Sequence, residues 1–166
     1  MNIYILCGLP GSGKSTWARE KSSETGALIV NRDSIRTMFF GSYRFNKDVE
    51  CIVHNCTEHI IRELLDGASA DCTNTIRDII IDECNLTIAR RKFWTDFISA
   101  NTLSENKINI IVVWFTENKR NSELREKNDL RGYTKEYWDN VISNMKISFQ
   151  QPTENEDIDE VIEVQI

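Results

Sequence analysis

Short, continuous apolar runs alternate along the chain with longer stretches in which apolar residues recur at helical spacing. The short runs predict buried strands at residues 3–7, 27–30, 79–81, 107–115 and 161–164. The longer stretches predict helices at residues 17–23, 47–65, 87–100 and 133–149, and a short helix that begins at Ser34. Strands that alternate with helices form a parallel sheet with right-handed crossovers. The pattern therefore predicts an α/β fold with a central, mostly parallel sheet.

The spacing of apolar and charged residues in the helix at residues 87–100 predicts which side chains face the core. Four apolar residues are expected to face inward: Ile88, Phe93, Phe97 and Ile98. Three consecutive cations are expected to face mostly outward: Arg90, Arg91 and Lys92.

A second stretch, residues 118–131, is strongly charged and helix-prone but has almost no apolar face. A helix of this composition is typical of a segment that is mobile or faces a ligand. Residues 118–132 are therefore the candidate lid of the predicted domain.

The net charge of −6 is concentrated at the C-terminal end of the sequence. Residues 153–166 hold six of the 26 acids and none of the 20 bases, which leaves 20 acids against 20 bases in residues 1–152. A neutral body has no global basic field, so any contact with nucleic acid has to come from a local basic cleft. At 166 residues the chain has room for one well-cored domain, residues 1–166.

Three features predict a cytoplasmic protein with no membrane segment. No apolar run approaches the roughly 20 residues that a membrane span needs. The first residues lack the basic region of a signal peptide. The five cysteines are odd in number and form no C-x-x-C pair, which is typical of free thiols in a reducing compartment.

A phosphate-binding motif follows the first predicted strand. Gly8-x-x-x-x-Gly13-Lys14-Ser15 has the Walker A spacing, and it lies between a strand and a helix, which is the context that confirms the motif. Its loop also contains Pro10, Gly11, Ser12 and Thr16. Glycine lets the backbone N–H groups approach phosphate closely, at a helix N-terminus that favours negative charge. The motif predicts binding of a nucleoside triphosphate and Mg²⁺, with Lys14 on the β- and γ-phosphates, Ser15 on the metal and Thr16 near the α-phosphate.

A second chemical signal follows the second predicted strand. Asn31-Arg32-Asp33 lies where that strand ends, at the edge of a parallel sheet where ligands bind. Arg36 comes three residues after Asp33, which places both on one helix face. A carboxylate beside a cation suits phosphoryl transfer to an alcohol, since the carboxylate can take the proton of the hydroxyl and the cation can hold an anionic neighbour. Position alone equally allows a helix-capping acid and a surface arginine.

Five blocks of sequence together point to one known family. They are residues 8–16, Asn31-Arg32-Asp33-x-x-Arg36, Ile80-Ile81-Asp82-x-Cys84-Asn85-Leu86 with Arg90-Arg91, Arg125-x-x-Asn128-x-x-Arg131-Gly132, and Val141-Ile142-x-x-Met145. In this order they resemble the kinase module of bacteriophage polynucleotide 5′-hydroxyl kinases, within the wider group of small P-loop kinases. The resemblance covers nearly the whole chain. It implies a three-layer P-loop kinase fold with a helical lid, and transfer of the γ-phosphate of ATP to the 5′-hydroxyl end of DNA or RNA in end healing or repair.

The resemblance also implies roles for individual residues. Asp33 would be the general base, and Arg36 would bind the phosphate next to the terminal nucleoside. Arg131 on the lid would reach the ATP phosphates during transfer, with Arg125 and Asn128 nearby.

The residues after the third strand leave the metal site with two alternatives. Asp82 and Glu83 both end this strand beside the P-loop, and either could hold a magnesium-bound water. Asp82 is slightly favoured. Asn85, from the same block of sequence, is a candidate for binding the acceptor together with Asp82 and Glu83.

For a single-stranded end, the candidates for phosphate contacts and base stacking are Arg36, Arg44, Tyr43 and Phe45, although loop packing explains the two aromatic residues at least as well.

The sequence departs from the family pattern at three places. Cys84 stands where the family usually has Thr, and Ile88 replaces a Pro. The Val-Pro that follows the lid Arg and Gly is replaced by Tyr133-Thr134-Lys135. These changes concern the shape of loops more than the chemistry of transfer.

Two other functions stay open at this stage. A kinase for a small metabolite, such as a nucleoside or sugar, needs the same Lys14, Ser15 and Asp33, and the neutral body favours it somewhat. Arg36 argues for the polynucleotide, because an acceptor without phosphate gives it no task. A nucleotide-dependent regulatory module is disfavoured by the intact set of site residues. A homo-oligomer and a separate ligase or phosphatase partner are further expectations.

Overall fold

Five parallel strands form the centre of the computed structural model, which describes residues 1–41, 45–67, 77–102, 107–117 and 132–165. The strands are β1 (Asn2–Cys7), β2 (Leu28–Val30), β3 (Ile79–Ile81), β4 (Asn109–Phe115) and β5 (Glu160–Val164). Their order in the sheet is β2-β3-β1-β4-β5, and every pairing among them is parallel. In the register, Ile5 of β1 pairs with Ile81 on one side and Val112 on the other. The expectation of a mostly parallel α/β sheet is confirmed.

Helices cover both faces of the sheet and give three layers. They are α1 (Lys14–Thr25), α2 (Arg32–Phe40), α3 (Glu50–Gly67), α4 (Ile88–Ala100) and α5 (Lys135–Ser148). Alternate residues of β1 point to opposite faces, as the pleat requires. Ile3 and Ile5 pack with Trp94 of α4 on one face, while Leu6 packs with Ala18 of α1 on the other.

The carboxyl ends of the strands bring the chemical segments to one edge of the sheet. The phosphate-binding loop follows β1, Asn31 follows β2, and Asp82 follows β3. Helix α5 covers part of this edge, where its Trp138 and Ile142 pack against Leu9 of the loop. The predicted lid at residues 118–131 lies outside the described residues.

All five helices begin at positions that differ from the sequence expectation: α3 begins at Glu50 instead of residue 47, α4 at Ile88 instead of 87 and α5 at Lys135 instead of 133. Helix α1 starts at Lys14, three residues before residue 17, because Thr16 N already donates to Gly13 O at 3.0 Å. Helix α2 starts at Arg32, and its cap is Asn31 instead of Ser34. Asn31 Oδ1 accepts a hydrogen bond from Ser34 N at 2.9 Å, so Ser34 lies inside the first turn.

Two side chains of α4 lie opposite to expectation. Thr87 caps this helix by accepting a hydrogen bond from Arg90 N at 3.1 Å, and Ile88 at the first helical position is 41% exposed. Arg91, expected to face outward, is fully buried. It faces Cys7 at the end of β1, whose Sγ lies 3.7 Å from Arg91 Nη1, and the same Nη1 donates to Asn85 O at 3.0 Å.

The partner that permits burial of Arg91 comes from the acidic C-terminal segment. Arg91 Nε and Nη2 donate to the two carboxylate oxygens of Glu156 at 2.6 and 2.7 Å. A bidentate pair of this kind compensates the desolvation of both charges. Residues 153–165 are therefore attached to the core through Glu156 as well as through β5.

Within the described ranges, no helix is both long and apolar enough to cross a membrane.

Candidate active site

Glycine is required by the shape of the phosphate-binding loop at its first position. A Cβ added to Gly8 would lie 2.8 Å from Ser12 Oγ and 3.0 Å from Phe115 Cβ. The loop is anchored by Gly8 N, which donates to Cys84 O at 3.0 Å. Gly13, with φ of 87°, turns the chain into α1 in a conformation that residues with a Cβ rarely adopt. The turn presents the N-terminus of α1 to this edge of the sheet.

Lys14 is buried and bound by the loop that carries it. Its Nζ donates to Gly8 O and Leu9 O, each at 2.8 Å. The ammonium therefore lies within the loop itself, where the motif expects it to meet phosphate.

Ser15 and Asp82 lie side by side, as expected for a magnesium site. The Ser15 hydroxyl donates to the Asp82 carboxylate. Asp82 Oδ2 also accepts from Asn31 Nδ2 at 2.9 Å. Burial raises the pKa of Asp82, against the opposing effects of the Ser15 hydrogen bond and the Lys14 charge. A hydroxyl and a carboxylate are oxygen ligands of the kind that Mg²⁺ takes, so these two residues fit the ion.

Glu83 has other partners than Ser15. Its carboxylate accepts from Arg90 Nη2 at 3.1 Å and lies 3.7 Å from Arg32 Nε. Arg32 in turn pairs with Glu50 at the start of α3. Glu83 is thus part of a network of ion pairs between α2, α3 and α4, and the geometry favours Asp82 over Glu83 as the residue beside the P-loop serine.

Asp33 and Arg36 are brought together on the first turns of α2. Arg36 Nη1 donates to Asp33 Oδ1, and the arginine is buried while Asp33 keeps part of its carboxylate exposed. Arg36 is further held by Glu50, whose two oxygens accept from Nε at 2.9 Å and from Nη2 at 2.7 Å. The guanidinium is therefore fixed in orientation at the sheet edge that holds the P-loop.

Glu50 is a site residue that the sequence did not reveal. Burial would raise the pKa of its carboxyl, but the hydrogen bonds and charges of Arg36 and Arg32 outweigh burial and lower that pKa. Burial likewise opposes the charge of Arg36, and its two carboxylate partners raise its pKa. A single glutamate at the start of a predicted helix gives no signal of such a role.

Asn85 lies beneath the P-loop. Its Nδ2 donates to Leu6 O at 2.9 Å, the residue is buried, and its φ is 41°. Its side chain supports the end of β1, and no contact with Asp33 or Arg36 is described for it. The remaining predicted site residues, Arg44, Arg125, Asn128 and Arg131, lie outside the described residues.

The chain matches known proteins over nearly its full length. A family model described as an AAA domain matches residues 3–152. The bifunctional polynucleotide phosphatase/kinase of Schizosaccharomyces pombe is 25% identical over 166 residues, which are 98% of this chain and 33% of the relative. The chain thus spans about one third of the length of that curated relative.

Solved structures of kinases share the fold. A chain of the Pnkp1/Rnl/Hen1 complex superposes with a TM-score of 0.58 at 22% identity, covering 95% of this chain and 44% of that one. The Mycobacterium tuberculosis APS kinase CysC, solved with AMPPNP and APS, superposes with a TM-score of 0.56 at 16% identity, covering 98% and 87%. At these identities the likeness establishes the fold alone. With the match over residues 3–152, the chain belongs to the AAA-domain family, and it has the fold of small P-loop kinases.

Proposed function

We propose that the protein is an ATP-dependent polynucleotide 5′-hydroxyl kinase that uses Mg²⁺. The observation that carries this proposal is the pairing of Asp33 with the buried Arg36 at the sheet edge that also holds the P-loop. A general base beside a fixed cation suits an acceptor that presents both a hydroxyl and a phosphate.

The proposed reaction assigns the donor side to the P-loop and its neighbours. Lys14 and the backbone N–H groups of the loop hold the β- and γ-phosphates of ATP. Ser15 and Asp82 would hold Mg²⁺, which supplies charge neutralisation on the phosphates when bound. Arg131 is proposed to approach the phosphates from the lid, with Arg125 and Asn128 beside it.

The acceptor side is assigned to α2. Asp33 takes the proton of the 5′-hydroxyl as its oxygen forms the bond to the γ-phosphorus, and the bond to the bridging oxygen breaks so that ADP leaves. Arg36 holds the phosphate that links the terminal nucleoside to the next one. Its three described hydrogen bonds leave part of its guanidinium donors for that phosphate.

The name of one compared protein supports this choice of substrate, and that of another supports the expectation of partners. The yeast relative is a polynucleotide phosphatase/kinase, and one structural neighbour is part of the Pnkp1/Rnl/Hen1 complex. The first name joins a polynucleotide kinase to a phosphatase, and the second is that of a complex of several proteins, so a separate ligase or phosphatase is the partner to test for this chain. A homo-oligomer is also part of the proposal.

A kinase for a small metabolite is the second candidate. The neutral charge of residues 1–152 favours it, because a polyanion gains nothing from the overall field. The APS kinase shows that this fold also occurs in enzymes with small acceptors. Against a bare nucleoside or sugar stands the guanidinium of Arg36, because its remaining N–H donors beside Asp33 suit an anionic group on the acceptor.

Transfer of labelled γ-phosphate from ATP tests the proposal. A short 5′-hydroxyl oligonucleotide is compared with nucleosides, 3′-nucleotides and sugars, with and without Mg²⁺. Asp33→Asn is expected to lower labelling of the oligonucleotide on the order of 10²-fold or more. Arg36→Ala is expected to raise the KM for the oligonucleotide more than the KM for ATP.

Matched variants at exposed positions control for general effects. Asp139→Asn on α5 and Arg77→Ala at the opposite edge of the sheet make the same changes of charge, and both are expected to keep full activity. Equal labelling of nucleosides and oligonucleotides, with a harmless Arg36→Ala, would instead establish the metabolite kinase. ATP binding without transfer to any acceptor would leave a regulatory module.

A further inference from the structure

The side chain of Asn31 connects the end of β3 with the start of α2. Its Nδ2 donates to the backbone oxygen of Asp82 at 3.0 Å and to Asp82 Oδ2 at 2.9 Å. Its Oδ1 accepts from Ser34 N at 2.9 Å and from Ser34 Oγ at 3.2 Å. One amide therefore contacts both the proposed magnesium ligand and the helix that carries the proposed acceptor residues.

Asparagine suits this position because the whole amide is used. An asparagine amide has two N–H donors and an oxygen with two lone pairs, and the hydrogen bonds described for Asn31 use all of them. Exchanging the nitrogen and the oxygen would turn an N–H group toward Ser34 N, so the network fixes the orientation of the amide. Aspartate lacks the donors. Serine has a single oxygen, which can accept from Ser34 N but cannot also donate twice to Asp82.

On the donor side of the site, Asn31 orients a carboxylate. Asp82 accepts from Asn31 as well as from the Ser15 hydroxyl, and its backbone N donates to Val30 O at 2.9 Å. Hydrogen bonds from neighbouring residues hold a metal-binding carboxylate in one direction. Asn31 is thus placed to determine how Asp82 meets the ion.

On the acceptor side, the same amide caps α2. Its Oδ1 binds the N–H of Ser34, the third residue of the helix, as an N-terminal cap does. Asp33 lies in the turn that this bond closes, and Arg36 follows three residues later. Capping explains the bonds of Oδ1, but it gives no reason for the two bonds that Nδ2 makes to Asp82.

We propose that Asn31 is a positioning residue that aligns the carboxylate of Asp82 with the first turn of α2. The proposal rests on the function proposed above and adds a residue that joins its two halves. Phosphoryl transfer needs the attacking oxygen in line with the γ-phosphorus and the leaving oxygen. The groups that hold these atoms follow different strands, so a rigid link between the strand ends preserves the alignment.

Two substitutions separate the two tasks of Asn31. Asn31→Ser keeps a capping oxygen and loses both donors to Asp82, whereas Asn31→Ala also loses the cap. Asn31→Ser is expected to raise the Mg²⁺ concentration for half-maximal phosphoryl transfer about tenfold or more, with the acceptor KM unchanged. Asn31→Ala is expected to show the same rise, a lower Tm and an acceptor KM raised about tenfold.

Asn2→Ser is the matched control. Asn2 Nδ2 donates to Asp78 Oδ2 at 3.1 Å, which is the same kind of bond at the amino ends of β1 and β3. Loss of this bond is expected to leave the Mg²⁺ dependence of transfer unaltered, because Asp78 lies at the edge of the sheet opposite the P-loop.

Metal binding is also measured without phosphoryl transfer. Mn²⁺ is titrated by electron paramagnetic resonance in the presence of a non-hydrolysable ATP analogue. Asn31→Ser is expected to weaken Mn²⁺ binding about tenfold or more, and Asn2→Ser to leave it unaltered.

A double-mutant cycle tests the link in the protein without metal. Urea unfolding compares Asn31→Ser, Asp82→Ala and the double variant. Because both single changes remove the same hydrogen bonds, their effects are expected to depart from additivity on the order of fivefold in the unfolding equilibrium constant.

Each outcome decides the proposal. Unaltered Mn²⁺ binding in Asn31→Ser, or additive effects in the cycle, would show that Asn31 is a helix cap alone, while the proposed kinase activity would stand. Equal weakening of Mn²⁺ binding by Asn2→Ser would also overturn the proposal, since the effect would then be general. If the wild type labels no oligonucleotide, the proposed function fails, and the Mn²⁺ titration and the cycle still decide whether Asn31 orients Asp82.

Discussion

Asp82, the proposed magnesium ligand, is expected to lower the stability of the fold when it is ionised, although its charge would serve activity. Because burial raises the pKa of its carboxyl, the unfolded chain gives up the proton of this group more easily than the folded chain does. Ionisation of Asp82 therefore costs stability as the pH rises above the ordinary range for an aspartate. Below that range the carboxyl is neutral in both states and the cost disappears.

Asp82→Asn is expected to raise the Tm at pH 7 and to abolish the benefit of Mg²⁺. The amide oxygen can still accept from Ser15 or Asn31, while the buried charge is removed. Thermal unfolding should show the gain in Tm at pH 7 and its loss near pH 3, and phosphoryl transfer should fall on the order of 10²-fold. Asp139→Asn, at an exposed position, is the control. A lower Tm for Asp82→Asn at pH 7 would contradict this account.

Glu50 is expected to act as a positioning residue for Arg36. Glu50→Gln removes the anionic half of two hydrogen bonds, so the guanidinium loses its fixed direction. The acceptor KM should rise about ten- to a hundredfold, with little change in the KM for ATP. Steady-state kinetics with both substrates varied would measure this split.

Glu58→Gln is the matched control for Glu50. It lies two turns further along α3 and pairs with His54 at 2.9 Å, away from Arg36. The same neutralising change there should leave both KM values unaltered. Equal effects of the two variants would mean that Glu50 serves the packing of α3 instead of the acceptor site.

At the scale of residues, the sequence predicts those site residues that lie close to one another along the chain. Lys14 and Ser15 share one loop, and Asp33 and Arg36 lie three residues apart on one helix. Glu50 reaches Arg36 only because the chain returns in α3, fourteen residues later. An acid in a first helical turn also has an ordinary explanation, its favourable interaction with the helix dipole, so the sequence alone does not single it out.

At the scale of elements, the Arg91–Glu156 pair determines how α4 and the C-terminal segment fit together. Glu156→Ala leaves a fully buried guanidinium without its carboxylate. Loss of one partner from a buried pair costs about 3–5 kcal/mol of the free energy of unfolding. Urea unfolding followed by tryptophan fluorescence would measure this loss.

The neighbouring acid gives a close control for Glu156. Asp157 has a side chain that is 80% exposed and meets Lys92 at 3.4 Å. Asp157→Ala removes the same charge one residue away and is expected to change stability little. Equal losses for the two variants would point to net charge, and not to the buried pair, as the cause.

The hydrophobic pattern predicts where the strands and helices lie along the chain, but it does not predict which way every side chain of α4 faces. All five strands lie at the predicted apolar runs. In β1, β3 and β4 the runs are nearly continuous because these strands are mostly buried, whereas the outer strand β5 keeps Glu160 and Glu163 exposed. Arg91 was assigned outward because charged residues are almost always exposed unless they are paired. Its partner Glu156 is 65 residues away and belongs to a segment whose acids also suit a solvated tail.

At the scale of the whole molecule, the sheet order predicts a gradient of stability. β1 lies at the centre with β3 and β4 as neighbours, whereas β2 and β5 are the outer strands of the described sheet. Backbone amides of β1 and β4 are therefore expected to exchange slowest with deuterium, and those of β2 and β5 to exchange faster. Hydrogen exchange followed by mass spectrometry would measure the order. Faster exchange in β1 than in β5 would contradict the described topology.

Some acids of the C-terminal segment, residues 153–165, hold this segment against the rest of the fold. Besides Glu156, Asp159 in the acidic segment accepts a hydrogen bond from Ile110 N at 2.7 Å. Part of the C-terminal acidity therefore attaches β5 to the sheet. Composition reported the excess of acid correctly, but only the fold distinguishes acids that bind backbone and arginine from acids that meet water.

The contacts of Lys14 with its own loop set how strongly a nucleotide can be held. Because two carbonyl oxygens already bind the ammonium, an arriving phosphate exchanges partners and does not simply add one. Such an exchange yields only the difference between two similar interactions. The loop carbonyls are therefore expected to compete with phosphate for Lys14, so that a nucleotide bound at this loop would gain less from the lysine than a free ammonium would supply.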